Sequence, residues 1–137
     1  MSAPAVAVSD NRNKYAAAWK DIRTGEPNVY WTISDKPESA DGQLVHEETK
    51  GKQDHPSLCI DASGTVWVAW EDARSGHNEV WLRSSREGDT GRRLSDPGNG
   101  AASFPAIATG KDLVAVAHES QHKDRKTIQF HLIASGQ

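Results

Sequence analysis

At 137 residues, with a formal net charge of −3 and 26% charged residues, the chain has the length of one domain. It shows no bulk electrostatic pull toward nucleic acid or an anionic membrane, and no apolar run approaches the ~20 residues of a membrane helix. Cys59, flanked by Leu58 and Ile60, is the sole cysteine, which excludes an internal disulfide and reads as a buried, inert thiol. The N-terminus, Met1-Ser2-Ala3-Pro4, lacks the basic and apolar segments of a signal peptide. That leaves a cytoplasmic protein or one whose leader has been removed.

In chain order, three segments repeat one strand pattern. The first runs through Pro4–Asp10, Tyr15–Asp21 and Asn28–Asp35, with a fourth strand expected at Gln43–Thr49. The second runs through Pro56–Ala62, Thr65–Asp72 and Glu79–Arg86, with a fourth at Gly91–Ser95. The third runs through Pro105–Gly110, Leu113–Ser120 and Thr127–Ser135 and has no fourth strand. Pro4 to Pro56 is a step of 52 and Pro56 to Pro105 a step of 49; Trp19 to Trp70 is 51 and Trp70 to His118 is 48. A strand-turn-strand unit recurring at such spacing marks a repeat architecture. The units are expected at about 4–54, 55–103 and 104–137, within a single domain.

Tight turns separate the first two strands of each unit, at Asn11–Lys14, Ala62–Gly64 and Gly110–Asp112. The loops between units are expected at Thr49–Gln53 and Gly98–Ala102. No segment holds a 3.6-residue apolar period, so helix should be scarce. The second strands, Tyr15–Trp19, Val66–Trp70 and Leu113–Ala117, are apolar on both alternating faces. A sandwich strand with one wet face would alternate with polar residues. Burial on both faces suits a strand inside a small sheet packed between neighbouring sheets, as in a propeller blade. The fold class expected is therefore all-β, with three four-stranded antiparallel blades, the last incomplete.

The segment from Pro56 to Ser85 resembles a blade of the bacterial neuraminidase repeat, the sialidase-like propeller family. The shared pattern is a Pro-led strand followed by V-x-V-A-W-x-D-x-R-x-G, here ending in Trp70-Glu71-Asp72-Ala73-Arg74-Ser75-Gly76 and echoed in Trp19-x-Asp21-x-Arg23-x-Gly25. In the third unit, His118-Glu119-Ser120 stands in place of Trp-x-Asp. The family's S-x-D-x-G-x-T-W turn is only echoed, around Asp35 to Gly42 and around Ser85 to Gly91, without the final Trp. The resemblance implies a six-bladed ring, and with it a secreted or periplasmic setting. Three blades expose apolar faces at both ends. Two alternatives follow: a second copy of this chain closes the ring by a two-fold axis, or further blades lie in a longer polypeptide. A sialidase's three arginines, Tyr–Glu pair and general acid have no residue-by-residue counterpart here.

Asp21, Arg23, Asp72, Arg74 and His118 are the candidate ligand-binding residues. Arg offers a planar fork to carboxylates or sugar hydroxyls, and Trp19 and Trp70 lie beside the Asp–Arg pairs. The competing reading is structural, because a pair repeated in each blade suits a pinned turn better than an asymmetric site. His118, Glu119 and His122 lack metal-ligand spacing, so no metal or other cofactor is expected. Trp31, Trp67 and Trp81 are expected to pack between blades. No Ser-His-Asp context, phosphate loop or Cys-based site is present. Two functions are expected: a glycan-recognising binding or assembly module, or part of a sialidase-type glycoside hydrolase completed by another copy or further sequence. A purely structural role is the third.

Overall fold

A computed structural model describes residues 3–38 and 40–135. Among the described residues, eleven strands form three antiparallel sheets, and the one helical element is a 3-10 turn at Pro97–Asn99. Blade 1 comprises β1 (Ala5–Val8), β2 (Tyr15–Asp21), β3 (Asn28–Ser34) and β4 (Gln43–Leu44). Blade 2 comprises β5 (Gln53–Ile60), β6 (Val66–Asp72), β7 (Glu79–Ser84) and β8 (Arg92–Arg93). Blade 3 has three strands, β9 (Ala101–Gly110), β10 (Leu113–His122) and β11 (Arg125–Ala134). Strand order follows chain order within each sheet, the up-and-down meander of a propeller blade.

Two apolar layers hold the blades together. The first joins Ala16, Ala18, Val29 and Trp31 of blade 1 to Leu58, Ile60, Val66, Val68 and Trp70 of blade 2. The second joins Cys59, Trp67, Ala69, Val80 and Leu82 of blade 2 to Ala102, Val114 and Val116 of blade 3. Strand β6 feeds both layers and is buried at all seven positions, the both-faced burial its sequence implies. Trp31 and Trp67 are buried, and Trp81 packs against the first layer. Blade 2 thus has a front face toward blade 1 and a back face toward blade 3, and the equivalent faces of the other two blades are named front and back in the same way. Burial pushes the Cys59 thiol up to about 12, so it stays protonated and unreactive.

The strand ends differ from the sequence expectation in two ways. The fourth strands shrink to two residues each. The inner strands β5 and β9 instead begin earlier, inside segments expected to be loops. Both pass through register shifts, between Asp54 and Ser57 and opposite Ala117 to Glu119. His55 (φ 49°) and Phe104 (φ 56°) sit there in the left-handed region, each just before a proline. Proline has no N–H for the ladder, so a bulge is where a sheet tolerates it. His122 ends β10 rather than lying in a loop, and the β10–β11 turn is Lys123-Asp124 alone.

Blade-to-blade connections stitch the sheets at one end. Buried Gln53 accepts from Val29 N with Oε1 (2.9 Å) and donates from Nε2 to Glu48 O (3.1 Å) and Asp72 Oδ2 (3.4 Å). At the next boundary Ser95 Oγ accepts from Val80 N (2.9 Å) and donates to the buried Glu79 carboxylate.

Candidate functional site

The Trp-x-Asp-x-Arg-x-Gly segments form the β2–β3 and β6–β7 turns. Gly25 (φ 98°) and Gly76 (φ 100°) close them, donating to Ile22 O (2.9 Å) and Ala73 O (3.0 Å). That backbone conformation explains the glycine, since no atom crowds either Cα. In blade 2, Asp72 accepts from Trp70 Nε1 (3.0 Å), Arg74 N (3.0 Å), Arg74 Nε (2.9 Å) and Arg74 Nη2 (2.6 Å). Arg74 stacks on Trp81 with its guanidinium carbon 3.8 Å from the ring centre, and its Nη1 lies 3.4 Å from His46 Nε2. Burial pushes the Asp72 carboxyl up, but the donors from Arg74 and Trp70 outweigh it and hold the group below its ordinary value. His46 is pushed down by burial and then by Arg74, so a neutral ring faces the guanidinium. Gly51, in the link between blades, rests against this turn; a Cβ there would come 2.9 Å from Arg74 N.

Blade 1 repeats the arrangement at the surface. Arg23 Nη2 reaches Asp21 Oδ2 (2.6 Å), Arg23 N reaches Oδ1 (2.9 Å), and the guanidinium lies 4.1 Å from the Tyr30 ring centre. The bond from Arg23 holds the Asp21 carboxyl at about 2. Each pair is closed within its own turn, with the carboxylate oxygens occupied by donors of the same chain. His118 stands apart: it is buried on the front of blade 3, its Nε2 2.8 Å from His131 Nε2, with the two rings stacked. Burial, then His118, pushes the His131 ring down. His118 therefore meets His131 and not His122, and among the described residues no cluster of three metal-ligating side chains exists.

Sequence reasoning missed the place where the three inner strands converge. A groove of about 300 Å³ is lined by Ala3 and Pro4 of blade 1, His55 and Pro56 of blade 2, and Phe104 and Pro105 of blade 3. Phe104 is half exposed, and its ring meets the His55 ring edge-on at 4.8 Å. Behind them the buried Glu71 accepts from Phe104 N (2.7 Å) and Asn78 Nδ2 (3.2 Å). His55 Nδ1 lies 3.0 Å from Glu71 Oε2 and 3.9 Å from Asp54 Oδ1. The first contact is an ion-pair distance without hydrogen-bond angles, so Nδ1 is buried next to charge yet unsatisfied. Asp54 accepts from His55 N (2.8 Å) and pairs with Lys20 of blade 1 (3.1 Å).

One exposed aromatic face, one imidazole between two carboxylates and one lysine thus come from three blades. Such a set can stack on an apolar ring face and bond hydroxyls around it. The signal available in the sequence was the residue before each aligned proline, Ala3, His55 and Phe104, and a Glu inside a strand otherwise apolar on both faces.

The fold is shared with known structures, at identities that carry the fold alone. The endo-arabinase from Bacteroides thetaiotaomicron VPI-5482 superposes with a TM-score of 0.66 at 16% identity, over 98% of this chain and 57% of that one. A protein of unknown function from Dyadobacter fermentans DSM 18053 gives 0.61 at 15%, over 97% and 50%. The GH43 endo-arabinanase from Bacillus licheniformis gives 0.53 at 13%, over 97% and 51%. The chain spans about half the length of these structures. No protein-family model matches it, and no curated protein sequence does. The three sheets are blades of a partial β-propeller, which supports the propeller expectation in its general form; two of these neighbours are an endo-arabinase and an endo-arabinanase, a further matching structure is a glycoside hydrolase, and the sialidase type is not supported.

Proposed function

We propose that the chain is part of a carbohydrate-active β-propeller and that the groove at the inner strands is the floor of its sugar site. The observation that carries this reading is the meeting of Phe104, His55 and the carboxylates Asp54 and Glu71 in one groove fed by three blades. The substrate class it favours is arabinose-containing polysaccharide, because two of the structural neighbours are an endo-arabinase and an endo-arabinanase. Binding is the role assigned to these blades. Glycosidic cleavage needs two carboxyl groups across one bond, whereas Asp54 and Glu71 face the same imidazole and already accept bonds from the chain. Titration calorimetry with linear arabino-oligosaccharides tests the reading. Saturable heat is expected, with affinity falling on the order of tenfold or more in Phe104→Ala, as the loss of a stacking aromatic predicts. Equal heats for wild type and variant, or none with any pentose or hexose oligosaccharide, would end it.

A sialidase-type reading is favoured by a different feature. Asp89 clamps the β7–β8 turn, accepting from Ser84 N (2.9 Å), Ser84 Oγ (2.6 Å) and Gly91 N (2.9 Å), inside the stretch that echoes the family's Ser-Asp-Gly turn but through Ser84 rather than Ser85. Turnover of a fluorogenic sialoside by the purified protein is the outcome that reading requires.

A further inference from the structure

We propose that the back of blade 3 docks the front of blade 1 of a second copy of this chain, two such contacts closing a ring. The proposal rests on the reading above that these blades belong to a closed propeller, and it names what completes it.

Position by position, the back of blade 3 repeats surfaces that are buried elsewhere. Trp31 lies opposite Ala18 in blade 1, Leu82 opposite Ala69 in blade 2, and Phe130 opposite Ala117 in blade 3. Trp31 and Leu82 are buried against the following blade, while Phe130 is 70% exposed. One step along, Val29 and Val80 are fully buried and Ile128 is 56% exposed. Leu132, on the same face as Phe130, is 68% exposed. The small residues recur as well: Ala16 and Ala18 of blade 1 have counterparts in Ala115 and Ala117.

The front of blade 1 is the matching half. Val6 and Val8 are 79% and 53% exposed, whereas their counterparts Leu58 and Ile60 in blade 2 are each 7% exposed against blade 1. Apolar residues held at both outer faces, at the positions the inner contacts bury, are what a soluble chain keeps only for a partner.

The occupant follows from polarity. Both contacts within the chain are back to front, so the back of blade 3 fits a front, and the front of blade 1 is one whose apolar residues stand exposed. Closure also brings a second set of inner-strand ends to the axis, which completes the groove at His55 and Phe104.

Light scattering after size exclusion, across the micromolar range, is expected to give twice the 14.9 kDa chain mass. Phe130→Asp and Val6→Asp should each weaken association by on the order of a hundredfold, because either buries a charge in an apolar contact. Both side chains are exposed in the single chain, so unchanged circular dichroism is expected. Mixing the two variants should restore a dimer, since one intact back then meets one intact front. A monomeric wild type leaves the faces to further blades of one polypeptide and overturns the second copy. A dimer lost with Phe130→Asp but indifferent to Val6→Asp is a back-to-back contact and overturns it too. Oligosaccharide heats on the same samples separate the claims: a monomer that binds keeps the sugar site alone, and a dimer that does not bind keeps the assembly alone.

Discussion

The β2–β3 turn of blade 1 and the β6–β7 turn of blade 2 share a Trp-x-Asp-x-Arg-x-Gly sequence and nearly the same hydrogen bonds, in two environments. Asp72 is fully buried, bonded to Arg74, which stacks on Trp81 and lies beside His46, and tied through Gln53 to the neighbouring blade. Asp21 and Arg23 lie at the surface, and Trp19, the counterpart of buried Trp70, is only partly covered. Burial therefore sets the energetic weight of the motif. An exposed ion pair contributes little, whereas breaking a buried one strands a charge.

Asp72→Ala is expected to have the largest effect. Arg74 and Trp70 lose their acceptor together, which costs about 3–5 kcal/mol by the usual cost of breaking a buried pair. The urea midpoint should fall accordingly; a shift no larger than that of Asp21→Ala would mean that burial does not set the weight of the motif. Gln53→Ala comes next, at about 1–3 kcal/mol, because Val29 N and Glu48 O lose a buried partner.

The third blade sharpens the comparison by pH. His118 replaces the Trp, and His131 is kept neutral first by burial and then by His118, so its folded pKa lies below the unfolded value of about 6.5. The unfolded chain then takes up more protons as the pH falls below that value, and stability drops on acidification. His131→Gln should flatten this slope in thermal melts between neutral and mildly acid pH. Asp72, whose folded pKa is lowered, keeps its contribution until the pH falls below about 4. Asp21→Ala should give the smallest effect in a lone chain. Its cost should rise with protein concentration if a second copy covers the front of blade 1, and concentration-dependent melts would show this.

Much of the fold was legible because each Pro-led inner strand and each Trp or His of the second strand recurs at nearly constant spacing. The bulges were not legible. A proline in the pattern marks the start of a strand, whereas His55 and Phe104 carry β5 and β9 through it in a left-handed conformation. The groove is hidden for the same reason. Asp54 and His55 fell in or beside a supposed loop, and Glu71 looked like one more charge beside Asp72. Only the pairing of Asp54 with Glu71 across β5 and β6, and the approach of Phe104 from the next blade, bring them together. The Asp–Arg pairs were legible as local units because both partners lie within one turn.

The sheets also differ at their rims. Blades 1 and 2 end on outer strands of two residues, too short to recruit another chain. Blade 3 ends on β11, ten residues long and paired among the described residues with β10 alone. Its outer edge, which no other described strand pairs, runs beside Ile128, Phe130 and Leu132 and is a template for strand addition. Colloidal behaviour should therefore be governed by this one rim. Charges placed along β11, or anything that covers it, should extend the lifetime of the protein in concentrated solution more than changes elsewhere on the surface.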